Sequence, residues 1–224
     1  MLRAPRPADP RPNSIGLSHR RPTVSDSYKA ATIRHRTGCL ERWQDEPVEL
    51  PQLKQGLGAA LVGATTPLAA ADRLCEACVD LLDVDGASIS LVDGVGSTQG
   101  TFGSSGALSR MLDELQFTYG QGPCLEAVAA NRPVVAMDLD APDEDRWPAL
   151  AEAVLGHGIR AVFALPVTIA STPIGALDLF RRSSGPLAEA SMTGGLWAAN
   201  LAALPVLDLM NAKVDWQAAG DAEE

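Results

Sequence analysis

The feature of this sequence that most restricts its fold is a pair of long apolar segments separated by only a few residues. The first reads IRAVFALPVTI (159–169), the second reads PIGALDLFRR (173–182), and the connection runs through ASTP (170–173). Two strand-like segments joined so closely form a hairpin, in which the strands run in opposite directions. The C-terminal half of the chain is therefore predicted to contain an antiparallel sheet.

A second hairpin is predicted nearer the N-terminus, where ASISLVDG (87–94) alternates apolar and polar residues and the chain returns through STQGTF (97–102). Two amphipathic helices precede it, and the second begins with Thr66 as its N-cap and Pro67 at the first helical position. A final helix is expected from about Leu187 to about Asn211. With helices between the two hairpins, this order predicts an antiparallel α+β domain rather than a βαβ repeat.

Composition divides the 224-residue chain into three parts. Residues 1–50 are basic and rich in Pro and Arg, which predicts a disordered tail; residues 51–213 carry one folded domain; and residues 214–224 form an acidic tail. The first 45 residues hold nine Lys and Arg against four acids, which leaves nine basic and twenty-four acidic residues for the remainder. Because so acidic a body repels nucleic acid and acidic membranes, neither is predicted as a direct partner.

The cysteines and the hydropathy pattern predict a cytoplasmic protein. Cys39, Cys75, Cys78 and Cys124 form no even disulfide framework, and no secretory signal accompanies them. No apolar run approaches the roughly 20 residues that span a bilayer. A membrane location is therefore not predicted.

The segment YGQGPCLEAVAANRPVVAMDL (119–139) is the first candidate for a functional site. Gly122 and Pro123 suit the start of a helix, which would place Cys124 in its first turn. Unpaired backbone N–H groups and the helix dipole lower the pKa of a thiol there, which would permit reactivity. Because no histidine or second cysteine lies close to it in the sequence, Cys124 is interpreted first as a small apolar side chain that fills the space under the turn.

The residue types that bind metals in other proteins are too few in this sequence, or are wrongly spaced, to form a metal site. Cys75 and Cys78 continue the apolar stripe of a helix and are interpreted as core residues, since His157 is the only histidine outside the tail. The segment DLDAPDED (138–145) resembles the start of a calcium loop but lacks the required glycine at its sixth position. It is interpreted as a solvated loop in which one of its aspartates caps the next helix. No metal site is predicted, and no cofactor is identified.

Three segments together resemble the GAF domain, a sensory fold related to PAS and profilin. They are GQGPCLEAVAANRPVVAMDL, RWPALAEAVLGHGIRAVFALPV and the closing hairpin PIGALDLFRR, and the resemblance covers roughly residues 52–210. More narrowly, the sequence is similar to the GAF half of bacterial GAF-ANTAR regulators, although no residues follow DWQAAGDAEE that would form the RNA-binding ANTAR part. The resemblance implies an antiparallel sheet of about six strands. It also implies that the terminal helices cover one face, often as a dimer bundle, and that small ligands bind on the other face beneath residues 102–155.

The function implied by this resemblance is a non-catalytic sensory or regulatory module in bacterial signalling or transcription regulation, forming a homodimer through its terminal helices and binding a small-molecule ligand. The aromatic residues of the middle segment either line the pocket or close it as core. The pocket candidates are Phe102, Phe117, Tyr119, Gln121, Gly122, Cys124, Asp138, Trp147 and Phe163. No catalytic residue is predicted.

The alternative function is a thiol enzyme that resembles the free methionine sulfoxide reductases, which are also GAF proteins. In those enzymes a cysteine stands at a place similar to Cys124, and the catalytic cysteine follows the next strand. No cysteine follows Cys124 in this chain, so Cys75 or Cys78 would have to reach it.

Overall fold

The computed structural model describes residues 49–92 and 98–221, and the side chains of residues 49–92 and 100–210. The predicted N-terminal tail therefore lies almost entirely outside the described residues. The described chain forms the following elements, in order: α1 (Leu50–Leu61), α2 (Pro67–Leu81), β1 (Gly86–Val92), β2 (Thr98–Ser104), α3 (Ala107–Tyr119), α4 (Pro123–Ala130), β3 (Val134–Ala136), α5 (Pro148–Gly156), β4 (Ala161–Ile169), β5 (Thr172–Arg181) and α6 (Glu189–Asp221).

The strands form one antiparallel sheet in the order β2-β1-β5-β4-β3, which confirms the predicted α+β class. The described residues contribute five strands, one fewer than the six expected. Strands β4 and β5 form the predicted hairpin, paired from Ala161 with Arg181 to Ile169 with Thr172. Ala170 and Ser171 make its turn with φ angles of 48° and 68°, the left-handed backbone of the turns that suit the twist of two antiparallel strands.

Local signals in the sequence account for several helix ends. The backbone N–H of Ala69 donates to Thr66 Oγ1 at 3.1 Å, so Thr66 caps α2 as predicted. Helix α4 begins at Pro123 and ends at Ala130, and its C-cap Asn131 has a left-handed φ of 47°. Helix α5 differs from the prediction that an aspartate caps it. Its N-cap is Trp147 rather than Asp143 or Asp145, and it has no side-chain capping hydrogen bond.

Helices cover both faces of the sheet. The terminal helices α1, α2 and α6 pack together, and α2 and α6 contact the sheet on what we call the terminal-helix face. Helices α3, α4 and α5 lie on the opposite side, the connecting-helix face. Strand β4 contributes side chains to the cores on both faces of the sheet. Phe163 and Leu165 belong to the core under the terminal helices, whereas Val162 and Ala164 belong to the core under the connecting helices. The layers follow the arrangement implied by the resemblance.

Helix α6 is the longest of the described helices. Over Glu189–Met210 it is long and apolar enough to cross a bilayer by length and composition alone, and it is the one such helix among the described residues. Gly194 and Gly195 bring it close to the core, because a Cβ at Gly195 would lie 2.9 Å from Leu165 and Leu179. Ala198 and Ala202 are fully buried against the same layer. Packing against the sheet therefore accounts for the apolar inner side of α6.

Candidate functional site

A group of polar side chains is buried beneath α3 and α4 on the connecting-helix face. All of its members are fully buried, and they include two aspartates in an otherwise apolar interior. We call this group the buried polar cluster; it consists of Ser88 and Ser90 from β1, Asp113 and Gln116 from α3, and Asp178 from β5. Acids are rarely buried this completely unless they are paired, so the cluster is the first candidate for a site.

Strand register and helix periodicity bring these side chains together. Leu177 and Leu179 belong to the core of the terminal-helix face, so Asp178 between them points to the other face. On β1, Ser88 lies directly opposite Asp178. Asp113 and Gln116 are three residues apart in α3 and therefore share the side of the helix that faces the sheet.

Gln116 and Ser88 connect the two aspartates to their surroundings. Ser88 Oγ donates to Asp113 Oδ1 at 2.8 Å, and Gln116 Nε2 donates to Asp178 Oδ2. The amide oxygen of Gln116 in turn accepts from the backbone N–H of Cys124 at 2.8 Å. One glutamine therefore ties Asp178 on the sheet to the first turn of α4.

Burial makes both carboxylates weaker acids than usual. It raises the pKa of Asp113 to about 6, although the nearby hydroxyls of Ser90, Ser88 and Thr101 and the charge of Arg110 act in the opposite direction. Burial also raises the pKa of Asp178 well above its ordinary value, and the negative charge of Asp113 raises it further. The two acids therefore disfavour each other's ionised form, as expected of neighbouring carboxylates in a region from which water is excluded.

Cys124 starts α4 as predicted, and it is a buried side chain under the turn, as its first interpretation expected. Its side chain is fully buried, and burial raises the pKa of the thiol well above its ordinary value. The charges of Asp178 and Asp113 raise the pKa of Cys124 further. The expectation of a lowered thiol pKa was wrong, because burial and two nearby carboxylates outweigh the favourable position at the helix N-terminus.

The other two described cysteines lie across the sheet from Cys124. Cys75 and Cys78 are buried in α2 with Ala87 and Ile89 in the core of the terminal-helix face, as the core interpretation expected. Cys124 belongs to α4, which contacts β4 and β5 from the opposite side. A disulfide requires Cα atoms within about 7 Å of each other, and here the sheet lies between Cys124 and the other two cysteines. A disulfide between Cys124 and either of them is therefore not expected.

The aromatic pocket candidates are divided between the two faces. Phe102 and Phe163 lie in the core of the terminal-helix face, so the sheet separates them from the connecting segments. Trp147 is buried in the core of the opposite face, and the guanidinium of Arg146 stacks 4.1 Å from its ring centre. Phe117 is half-buried and Tyr119 is 42% exposed.

The remaining candidates also separate into two groups. Gln121, Gly122 and Cys124 form the turn and first helical residues above the buried polar cluster. Asp138 lies elsewhere, where it accepts hydrogen bonds from Arg160 at 2.8 to 3.1 Å. Within residues 49–92 and 98–221, no group of three or more His, Cys, Asp or Glu side chains could hold a metal ion.

Sequence reasoning missed Asp113, Gln116 and Asp178. A signal existed for Asp178, because it interrupts the apolar run GALDLF in a strand whose two faces are both covered, so that any acid there must be buried. No comparable signal marked Asp113 or Gln116, since both occur in the ordinary amphipathic segment MLDELQF.

Replacing Gly122 by alanine is expected to disturb the cluster without touching an acid. Gly122 has a φ of 147°, and an added Cβ would lie against the amide of Gln116, within 3 Å of three of its atoms. Displacing Gln116 removes its bonds to Asp178 and Cys124, and we expect the free energy of unfolding to fall by about 2 kcal/mol in urea titrations. Gly63→Ala is the matched control, because Gly63 also has a positive φ but no atom within 4 Å. Equal losses in both variants would assign the effect to backbone strain alone.

Comparisons with known proteins address the fold. The family model described as GAF domain matches residues 64–194 of this chain. The crystal structure of the GAF domain from an Acinetobacter phosphoenolpyruvate-protein phosphotransferase aligns with a TM-score of 0.58 at 12% identity, covering 73% of this chain and 96% of that chain. No curated protein matches the sequence.

Two further structural neighbours differ from each other in what they do. The chromophore-binding domain of an unusual bacteriophytochrome from R. palustris aligns with a TM-score of 0.53 at 11% identity, covering 73% of this chain and 61% of that chain. Free methionine-R-sulfoxide reductase from Neisseria meningitidis, in complex with its substrate, aligns with a TM-score of 0.52 at 19% identity, covering 73% of this chain and 89% of that chain. At these identities the likeness concerns the fold alone.

Proposed function

Because this chain belongs to the GAF domain family, we propose that it is a non-catalytic sensory module that binds a small ligand at the buried polar cluster. The observation that carries the proposal is the pair of fully buried aspartates, Asp113 and Asp178, on the face opposite the terminal helices. Two neighbouring buried carboxylates lower the free energy of unfolding. Proteins usually tolerate such a loss of stability at functional sites rather than in structural cores. The regulatory setting, bacterial signalling or transcription, follows from the resemblance to GAF-ANTAR regulators.

Native mass spectrometry of the protein purified from a bacterial host tests this proposal. We expect a bound small molecule on the wild-type chain and its loss from Asp178→Asn, with Asp80→Asn as the control because Asp80 is exposed on α2. Wild-type protein that carries no ligand, and that binds none from a bacterial metabolite extract, would contradict the proposal.

The thiol-enzyme alternative makes a different prediction for Cys124. A buried thiol with a raised pKa is a poor nucleophile, and Cys75 and Cys78 are on the other side of the sheet. We therefore expect Cys124→Ser to keep its ligand and the wild-type chain to show no reduction of methionine sulfoxide above background. Turnover by the wild-type chain that Cys124→Ser abolishes would favour the enzyme.

The outer side of the terminal helices is proposed to bind a second copy of the chain. Six of the eight large hydrophobic side chains that are exposed among the described residues lie there: Val62, Leu68, Leu196, Trp197, Leu204 and Met210. Beside Leu204, a groove of about 300 Å³ lies between the end of α1, the start of α2 and α6. The same apolar surface on two copies is self-complementary about a two-fold axis, which favours a homodimer.

Leu204→Glu is expected to weaken this dimer at least tenfold, because it would bury a charge against an apolar surface. Leu204 is 51% exposed, so the folded monomer should tolerate the change. Met137→Glu is the matched control, since Met137 is 52% exposed and lies outside the terminal helices. Sedimentation velocity over a concentration series measures the effect, and a wild-type chain that stays monomeric throughout would contradict the dimer.

A further inference from the structure

Most of the buried side-chain oxygens without a hydrogen-bond partner, among the side chains that the structure describes, belong to the buried polar cluster. Among the described side chains there are four such atoms: Ser90 Oγ, Asp113 Oδ2, Gln121 Oε1 and Asp178 Oδ1. Three belong to the buried polar cluster and the fourth to the turn above it. Buried polar atoms in native proteins are nearly always paired, so four unpaired atoms in one place indicate an absent partner.

The four atoms lie in a common neighbourhood. Ser90 faces Asp113, since it lowers the pKa of that carboxyl, although its hydroxyl has no partner in hydrogen-bonding geometry. Asp113 bonds to Ser88, and Ser88 lies directly opposite Asp178, where Cβ atoms are about 5 Å apart. Gln121 follows the last turn of α3, where its backbone N–H donates to the carbonyl of Gln116 at 3.2 Å.

The chemistry of these atoms restricts the partner. Ionised carboxylates and amide oxygens only accept hydrogen bonds, and a serine hydroxyl accepts or donates. When both acids are ionised the partner must therefore be a donor, and beside two carboxylates it gains most from a positive charge. On these grounds we propose that the ligand of this site carries a primary ammonium group, whose three N–H bonds are accepted by Asp113 Oδ2, Asp178 Oδ1 and Ser90 Oγ. This inference rests on the proposed function, because it names the chemical class of the same ligand.

Each carboxylate offers a single free oxygen, and this excludes a guanidinium fork. Asp113 Oδ1 is occupied by Ser88, and Asp178 Oδ2 is occupied by Gln116. A guanidinium binds best when both oxygens of one carboxylate accept in parallel, whereas an ammonium is a compact group that needs one oxygen from each partner. The number of free acceptors therefore fits an ammonium.

A divalent metal ion fits less well. Calcium takes six to eight oxygen ligands and magnesium six, whereas the site offers four free oxygens, only two of them charged. Among the described residues no larger cluster of acidic, histidine or cysteine side chains adds to them. We therefore assign the organic cation and make the metal ion an outcome of the test.

Nuclear magnetic resonance on the full chain tests the inference with methylammonium as the probe. At pH 8 and constant ionic strength we expect saturable shifts of backbone amides near Ser90, Asp113 and Asp178, with a dissociation constant on the order of 10 mM for so small a probe. Tetramethylammonium has the same charge without N–H donors, and we expect it to cause no such shifts. Asp113→Asn and Asp178→Asn should each weaken binding at least tenfold, while Asp80→Asn should leave it unchanged.

Two results would overturn the ammonium inference without contradicting the proposed function, and a third would contradict both. Saturation of the same amides by guanidinium, Mg²⁺ or Ca²⁺ but not by methylammonium would replace the ammonium while leaving a ligand site in place. A metabolite recovered on the wild-type chain that shifts these amides but carries no amine would do the same. If no probe and no metabolite extract shifts them, the inference and the proposed function both fail.

Discussion

Replacing Asp113 by asparagine is expected to stabilise the folded protein at pH 8 by about 3 kcal/mol. The pKa of Asp113 rises from 3.8 to about 6 on folding because the carboxyl is buried. A group whose pKa is higher in the folded state contributes full stability below its unfolded pKa and loses that contribution as the pH rises through its folded pKa. About two units correspond to roughly 3 kcal/mol, which the wild-type chain lacks at pH 8 and an uncharged asparagine retains.

The pH dependence of this stabilisation separates it from an unspecific effect. Urea unfolding at pH 4, 6 and 8 should show a difference between Asp113→Asn and the wild type that is small at pH 4 and grows through pH 6. Asparagine keeps an oxygen that can accept from Ser88 Oγ, so the hydrogen bond of 2.8 Å is retained. Asp80→Asn is the control and should give a constant, small difference. A destabilised Asp113→Asn at pH 8 would mean that the ionised acid is a structural requirement of the fold.

The same substitution links stability to binding. If the buried acids exist to bind a cationic ligand, Asp113→Asn should be both the more stable protein and the weaker binder. A ligand that binds only the folded state stabilises the wild type in proportion to its concentration, so the stability advantage of the variant should shrink as ligand is added. A variant that is more stable and binds equally well would remove Asp113 from the site.

Replacing Gly175 by alanine is expected to destabilise the protein by about 3 kcal/mol or more. An added Cβ at Gly175 would lie 1.9 Å from the backbone oxygen of Ser90 and 3.2 Å from the Cα of Leu91. Both atoms belong to the backbone of β1, so β1 and β5 must separate to make room, and no side-chain rotation relieves the contact. We expect a fall of about 10 °C in the thermal midpoint.

A second glycine gives the opposite expectation and serves as the control. Gly58 lies inside α1, and an alanine Cβ there would have no atom within 4 Å. Gly58→Ala should therefore raise stability by up to about 1 kcal/mol, because alanine favours the helix. Unchanged stability in Gly175→Ala would mean that β1 and β5 adjust to the added atom, and the register that places Ser88 opposite Asp178 would then be less rigid than the structure implies.

Much of the scaffold was predictable because its signals are local. The short ASTP connection and the Thr66 cap depend on residues within a few positions of each other, and both occur in the structure. The layers around the sheet were predictable only through the resemblance to a known family. The cap of α5 was predicted wrongly, because several aspartates precede that helix and composition cannot decide whether any of them bonds to its first turn.

Of the candidate site, only the turn that leads into α4 could be predicted from the sequence. Gln121, Gly122 and Cys124 stand out because glycine and proline mark the turn. The pKa of Cys124 was predicted in the wrong direction, because the helix start is visible in the sequence and the two carboxylates beneath it are not. Phe102 and Phe163 were grouped with the other aromatic residues, although strand register directs them to the terminal-helix face.

Turns, caps and periodicity act over a few residues, so the order of elements, the antiparallel hairpin and the helix that begins at Pro123 follow from local sequence. That Asp113 and Asp178 share one buried region depends instead on long-range packing. They lie 65 positions apart in the chain, and strand register and the packing of α3 on β1 bring them together. A shift of one residue in the register of β5 would turn Asp178 to the opposite face of the sheet, and no local feature of the sequence indicates which register forms.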